Sequence, residues 1–399
     1  MTPLAGTTLP ELIERYRNNR TDYRSGHYNE TQLRREFVDP LLELLGWDVS
    51  NKQGYAEAYK HVIHEDHIKI GGSSKAPDYS FQIGSTRKFF LEAKRPAVNI
   101  TDDPEPAYQL RRYGWSAKLP LSILTNFETL AVYDCRIRPE RNDKASTARI
   151  LIVEFEQYPT RWQELVDIFS FEAINRGGFD RFANEAKPRR GTATVDEDFL
   201  AEIERWRDRL ARAIFKNNPK LDSYQLNDAV QKTIDRIVFL RIAEDRGIEA
   251  VGRLEAISKS PKIYANLANY FRQADDRYNS GLFHFRPGDG AKETLDQLTL
   301  SLSIDDQPLR DIISNLYPPK SPYAFSVIPA DILGQVYERF LGRAIRVRGR
   351  SIVVDEKPEV KKAGGVYYTP TFVVREIVKS ALVSRHRGFD RLIFGHFRM

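Results

Sequence analysis

The feature that most constrains the fold is a change of hydrophobic period within the first quarter of the sequence. Residues 28–47 place apolar side chains at helical spacing, and Gly46 is a typical helix terminator. The predicted apolar stripe consists of Leu33, Phe37, Leu41, Leu44 and Leu45. Residues 79–83 and 88–94 instead have the pattern of short strands, and a glycine–serine pair at 84–85 provides a turn between them. The pattern predicts a helix followed by a β-hairpin, as in an α/β fold with a mixed sheet.

The rest of the sequence indicates more strands and then a long helical region. Residues 104–117 have helical spacing. Three further strand-like runs follow at residues 121–125, 129–133 and 150–155. A composition shift at 187–194 indicates a linker, after which helical patterns dominate to about residue 341. Residues 346–363 are basic and have the pattern of a loop.

Composition narrows the class of protein. The 399 residues carry a formal net charge of +6, from 61 lysines and arginines against 55 aspartates and glutamates. This mild excess permits a polyanionic partner and is equally compatible with an ordinary solvated surface. The single cysteine, Cys135, excludes an internal disulfide framework and makes the cytoplasm the expected location. No run reaches the roughly 18 apolar residues that a membrane span requires, so no membrane partner is expected.

The chemistry-bearing residues lie in the predicted hairpin. Side chains alternate across a strand, so Glu92 and Lys94 share a face, and pairing of the two strands brings Asp78 beside Glu92. Two converging carboxylates favour a hard cation such as Mg²⁺, which also accepts a carbonyl oxygen, here that of Ala93, and several waters. Lys94 would then orient a water that the metal activates. The alternative is a solvated strand face with a Glu92–Lys94 ion pair.

The order of the motifs resembles the N-terminal half of type IIG restriction–modification enzymes, and also the N-terminal nuclease domain of type I restriction subunits. The motifs that carry this resemblance are NETQLRREFVDPLLELLGWDV, APDYSF, FLEAKRP and QLRRYGW. The resemblance implies a PD-(D/E)XK restriction-endonuclease-like domain at 1–186, with a mixed sheet flanked by helices. It further implies an all-α connector domain at 187–345 and an incomplete methyltransferase stub at 346–399.

The resemblance also assigns residues to a catalytic site. These residues are Asp78, Glu92, Lys94, Glu30, Gln109 and Tyr113, with Asp78, Glu92 and the Ala93 carbonyl as metal ligands. Glu30 could instead be an exposed charge that complements the helix dipole. Gln109 and Tyr113 share a helical face, so helix packing is their alternative role. Arg111 and Arg112 could contact phosphates, although arginines on an exposed helix are common.

A second, weaker resemblance concerns S-adenosylmethionine. Tyr367, Tyr368, Thr369 and Pro370 are similar to the stretch of the family's adenine methyltransferase that lies against this cofactor. Helix capping by Thr369 and Pro370 is the alternative role. The sequence shows neither the glycine-rich cofactor turn nor an Asn-Pro-Pro-Tyr-type loop for the adenine. We therefore expect no methyltransferase activity, and S-adenosylmethionine binding by this chain alone is not expected.

Together these observations predict an enzyme, a type II restriction-like deoxyribonuclease. It would hydrolyse DNA phosphodiesters with Mg²⁺ and a metal-activated water, as the endonuclease module of a restriction–modification system. DNA is the expected partner, together with a separate methyltransferase or specificity subunit. The alternative is a non-catalytic DNA-binding or assembly remnant that docks on such a subunit.

Overall fold

The structure is a computed structural model that describes residues 7–64, 69–70, 73–74, 76–84, 86–186, 193–278, 280–286, 295–329, 332, 343–349 and 351–356. The helices are α1 (Leu9–Asn18), α2 (Arg20–Tyr23), α3 (Glu30–Leu33), α4 (Asp39–Leu44), α5 (Pro104–Ser116), α6 (Tyr158–Phe169), α7 (Phe171–Asn175), α8 (Gly178–Glu185), α9 (Val195–Asn217), α10 (Ser223–Asp245), α11 (Arg253–Lys259), α12 (Ile263–Tyr278) and α13 (Asp306–Ser314). The strands are β1 (Val62–His64), β2 (Lys69–Ile70), β3 (Ser73–Ser74), β4 (Tyr79–Ile83), β5 (Thr86–Ala93), β6 (Leu121–Thr125), β7 (Thr129–Asp134), β8 (Arg149–Glu154), β9 (Arg343–Arg348) and β10 (Ser351–Glu356). Within the described residues, no helix is both long enough and apolar enough to cross a membrane.

A π-helical turn interrupts the first predicted helix. Residues Arg34–Val38 form this turn between α3 and α4. A π turn contains more residues than an α turn, so the helical positions that follow it are rotated relative to the predicted stripe. As a result Leu42 is buried, whereas Leu44, which the spacing placed in the stripe, is 36% exposed. Gly46 ends the segment at φ +84° as predicted, a conformation that suits glycine.

The central sheet has six strands in the order β1-β4-β5-β6-β7-β8. Strands β5 and β6 run parallel, and the other neighbouring pairs are antiparallel. The predicted mixed sheet flanked by helices is therefore confirmed. The crossover from β5 to β6 is α5, which is the connection that parallel neighbours require.

Helices cover both faces of the sheet around β5. On one face Phe89 and Leu91 lie in a core with Trp47 from the α4 end. On the other face Phe90 packs with Leu110 of α5. The strand is thus apolar on both sides, as expected for a strand in the interior of a sheet with covered faces. The alternative considered for this segment is wrong in its solvated strand face, but its Glu92–Lys94 ion pair is present at 2.7 Å.

The region after residue 193 is built mainly from α9 to α13, but it also contains a β-hairpin. Strands β9 and β10 pair antiparallel, and Asn227 of α10 bonds the backbone of Ile345 in both directions, at 2.6 and 2.9 Å. Ile345 and Ile352 are buried in the same core as the helices. The loop expected at 346–363 is therefore wrong for 346–356, and the expected boundary at 345/346 falls inside β9. Alternation of isoleucine and valine with arginine explains the hairpin, because the apolar face packs on α10. The linker expected at 187–194 lies largely outside the described residues.

Helix α5 joins the sheet to the helical region. Arg112 donates from Nη2 to the Tyr323 carbonyl oxygen at 2.7 Å. The Ala324 amide donates to Ser116 Oγ at 2.9 Å, and Trp115 stacks on the Tyr323 ring at 5.8 Å. Arg112 is therefore an interface residue between the two regions. The phosphate contact considered for it is not supported.

Candidate active site

The hairpin brings the two acidic residues together at the end of β5. Tyr79 pairs with Leu91 across the antiparallel β4–β5 ladder, so Asp78 lies beside the last residues of β5. The Ala93 amide donates to Asp78 Oδ2 at 2.8 Å. This bond fixes the Asp78 carboxylate over the strand end at which Glu92 also lies.

Glu92 is held at one carboxylate oxygen only. Its Oε1 atom accepts from Lys94 Nζ at 2.7 Å and from Gln109 Nε2 at 3.1 Å. Gln109 also donates to the Tyr113 hydroxyl at 3.4 Å, so the two residues of α5 do lie against the acidic site. Among the described residues, Glu92 Oε2 is buried and meets no hydrogen-bond donor. A buried carboxylate oxygen without a partner is costly and calls for an explanation.

Burial makes the electrostatics of this pair unusual. Glu92 is 2% exposed, and desolvation together with the Asp78 charge raises its pKa to about 8. The Lys94 ammonium opposes this shift without cancelling it. For Lys94, burial disfavours the charge, but the carboxylates of Glu92, Glu30 and Asp78 outweigh burial and raise its pKa. The site is therefore an acidic cluster in which the carboxylates favour the charged form of Lys94.

Glu30 lies at the same site, on a different element. It is half-buried in the first turn of α3, and Asn29 caps that helix by accepting from the Gln32 amide. Desolvation raises the pKa of Glu30, the Lys94 charge opposes the shift, and the Asp78 charge adds to it. Glu30 and Lys94 line a common cavity of about 550 Å³. The cavity is also lined by Gln109 and Tyr113, and on its other side by Arg241, Asp245 and Tyr317 of the helical region.

Arg34 is a site residue that the sequence analysis missed. Its Nη1 atom lies 3.2 Å from Asp78 Oδ1, and its Nε atom donates to the Tyr79 hydroxyl at 3.2 Å. The guanidinium also lies 4.7 Å from the centroid of the Tyr79 ring, and the Tyr79 hydroxyl donates to Asp39 Oδ1 at 2.6 Å. Arg34 belongs to the π turn, whose geometry no spacing rule reveals. The only sequence feature that could have indicated its role is its position directly after Leu33, a residue of the apolar stripe.

The donor set fits a hard divalent cation. The described residues contain no group of three His, Cys, Asp or Glu side chains that could hold a metal ion, so a carboxylate-rich cage is not present there. Mg²⁺ does not require one, because it binds through one or two carboxylates and retains several waters. The Oε2 atom of Glu92, which meets no donor among the described residues, is available as such a ligand, and the Asp78 charge acts on the same carboxyl group. Metal binding by the Ala93 carbonyl stays a prediction.

Two other predicted sites have different outcomes. Arg111 is 1% exposed and pairs with Asp143 Oδ2 at 2.6 Å, so it is a buried structural cation and cannot reach a phosphate. The predicted S-adenosylmethionine contacts, Tyr367, Tyr368, Thr369 and Pro370, lie outside the described residues.

Comparison with known proteins shows which proteins this chain is similar to. No protein-family model matches the chain. The chain is 38% identical, over 382 residues, to the type II restriction enzyme and methyltransferase RM.Eco57I of Escherichia coli. This match covers 95% of the chain and 37% of that protein, so the chain spans little more than a third of the relative's length. Among solved structures, the match to the type IIG restriction endonuclease BpuSI covers 83% of this chain and 33% of the BpuSI chain, at 14% identity and a TM-score of 0.21. The match to RM.Eco57I confirms the resemblance of this chain to restriction–modification enzymes of the type II class.

Proposed function

We propose that this chain is a Mg²⁺-dependent DNA endonuclease module with a PD-(D/E)XK site, acting in a type IIG-like restriction–modification system. One observation carries the proposal: the buried Glu92 carboxylate binds Lys94 through one oxygen, and its other oxygen meets no hydrogen-bond donor among the described residues. Burial raises the pKa of Glu92 to about 8, so the ionised form of this carboxyl is destabilised. An ion pair that served only stability would gain nothing from such burial. Strongly perturbed acids that meet a specific charge partner are typical of catalytic sites.

Each residue has a separate role in this proposal. Asp78 and Glu92 hold the cation, and the Ala93 amide orients Asp78. A bound Mg²⁺ lowers the pKa of water and stabilises the charge that builds on the phosphate. Lys94 places a positive charge beside the attacking water, and Gln109 keeps the Glu92 carboxylate in position.

Cleavage of supercoiled plasmid DNA tests the proposal. We expect nicking and linearisation with Mg²⁺ and none after chelation. The variants Asp78→Asn, Glu92→Gln and Lys94→Ala should each reduce the cleavage rate by at least about 100-fold, because each removes a group that acts in the transition state. DNA affinity at fixed salt should change little in these variants.

The matched control is the exposed ion pair of Lys88 on the same strand with Asp180 of α8, at 3.2 Å. Lys88→Ala and Asp180→Asn should cleave like the parent. DNA binding without any Mg²⁺-dependent cleavage would instead favour the non-catalytic alternative, in which the chain docks DNA or a separate methylation or specificity subunit. Full activity in Asp78→Asn would refute the proposed metal site.

A further inference from the structure

A second cavity borders the acidic site at Glu30. It measures about 590 Å³ and is lined mainly by the segment that leads into α3. Glu30 lines both this cavity and the one that contains Lys94. Two arginines, Arg35 and Arg95, also line the second cavity. The cavity is therefore a basic extension of the candidate active site.

Each arginine directly follows a cation that belongs to the acidic site. Arg34 is 8% exposed and turns inward to Asp78, whereas its neighbour Arg35 is exposed. Lys94 likewise turns inward to Glu92, whereas Arg95 is exposed. The π turn and the end of β5 thus each present one cation that pairs with the acidic site and one that is exposed. The exposed pair faces one cavity.

These two arginines differ from most other arginines in the part of the chain that the structure describes. Within the described residues neither Arg35 nor Arg95 has an ion pair or a side-chain hydrogen bond, although a partly buried carboxylate, Glu30, lines the same cavity. By contrast, Arg20 is paired with Glu128 of the turn between β6 and β7. An unpaired guanidinium gains most from an anion that arrives with the substrate.

We propose that Arg35 and Arg95 form a phosphate-binding subsite for the DNA backbone, next to the phosphodiester that is cleaved. The inference rests on the proposed function, because it places the cleaved phosphate at the acidic site. Three carboxylates in that site repel a phosphate, so cations at its rim are needed to hold the strand. Guanidinium groups bind phosphate oxygens through two parallel hydrogen bonds, and such contacts fix register without reading sequence.

The salt dependence of DNA binding tests this subsite. Binding of a short duplex of arbitrary sequence is measured over a series of salt concentrations, without divalent cations, so that no cleavage accompanies binding. Each phosphate contact contributes about 0.9 to the slope of log affinity against log salt. Arg35→Ala and Arg95→Ala should each reduce the slope by about 0.9, and the double variant by about 1.8. Over a four-fold rise in salt, the parent should therefore lose about 12-fold more affinity than the double variant.

Matched variants separate a subsite from general surface charge. Arg17 of α1 is exposed, has no partner among the described residues and does not line the cavity, so Arg17→Ala should retain the parental slope. Arg35→Lys and Arg95→Lys keep the charge and should keep most of the slope. A parental slope in the double variant, an equal loss in Arg17→Ala, or no DNA binding by the chain would overturn the inference. Slope loss without any Mg²⁺-dependent cleavage by the parent would uphold the subsite and refute the nuclease proposal.

Discussion

Replacing the Glu92 carboxyl with an amide should make the protein more stable while it destroys cleavage. The folded structure raises the pKa of Glu92 from 4.5 to about 8, with burial as the largest cause and the Asp78 charge second. Glutamine has nearly the same shape and can still accept from Lys94 and Gln109 through its carbonyl oxygen. Glu92→Gln therefore removes the cost of ionisation and keeps most contacts.

The sign and size follow from proton linkage. Because the folded pKa lies above the unfolded value, the stabilising contribution of this carboxyl is complete below its unfolded pKa of 4.5 and is lost as the pH rises through about 8. One pKa unit corresponds to about 1.4 kcal/mol. At about pH 5 the parent has lost about 1 kcal/mol of unfolding free energy through this group, and at about pH 7 about 3 kcal/mol. Glu92→Gln should exceed the parent in stability by these amounts.

Urea unfolding at both pH values is the assay. The difference between Glu92→Gln and the parent should grow by about 2 kcal/mol from about pH 5 to about pH 7. Glu14→Gln, at an exposed position of α1, is the matched control and should show no such growth. Mg²⁺ should stabilise the parent and not Glu92→Gln, since the ligand binds only the folded parent. A stability difference that is the same at both pH values would refute the account of Glu92 as a buried, destabilised acid.

Two further substitutions test the structural assignments around α5. Arg111→Ala should lower the unfolding free energy by about 2–3 kcal/mol, measured in urea, because Asp143 loses its buried partner at 2.6 Å; the salt slope of DNA binding should not change. Gly114→Ala should lower it by about 1–3 kcal/mol, seen as a reduced melting temperature, because an added Cβ would overlap Cys135 Sγ and lie 2.7 Å from Cys135 Cβ. A Gly114→Ala protein with the parental melting temperature would show that α5 does not lie this close to β7.

The hairpin and the convergence of its acids could be predicted because both depend on local rules. Strand alternation places Glu92 and Lys94 together, and pairing of β4 with β5 brings Asp78 beside them. The resemblance in motif order predicted Glu30, Gln109 and Tyr113 as site residues, and in the structure all three line the same cavity as Lys94. Their catalytic roles stay predictions.

The remaining differences arise from tertiary packing. The spacing of residues 28–47 does not reveal a π turn, so the exposure of Leu44 and the inward direction of Arg34 could not be foreseen. The basic residues at 346–356 led to the prediction of a loop. The apolar side chains that alternate with them form a strand face because α10 covers that face, and this contact is not evident from the sequence. The sequence likewise did not show that both faces of β5 are covered, which is what buries Glu92.

Burial of Glu92 also explains why two side chains donate to one of its carboxylate oxygens. In most of the fold, local pattern, packing and polar pairing agree, as expected for a foldable sequence. At Glu92 they conflict: a carboxylate lies in a covered sheet and has one oxygen without a donor among the described residues. Natural proteins retain such conflicts where function requires them and compensate nearby. Here Lys94 and Gln109 compensate one oxygen, and the other oxygen can be satisfied by a proton or by a cation. Mg²⁺ binding should therefore compete with protonation, so that apparent Mg²⁺ affinity, measured by calorimetry, falls as the pH drops below about 8.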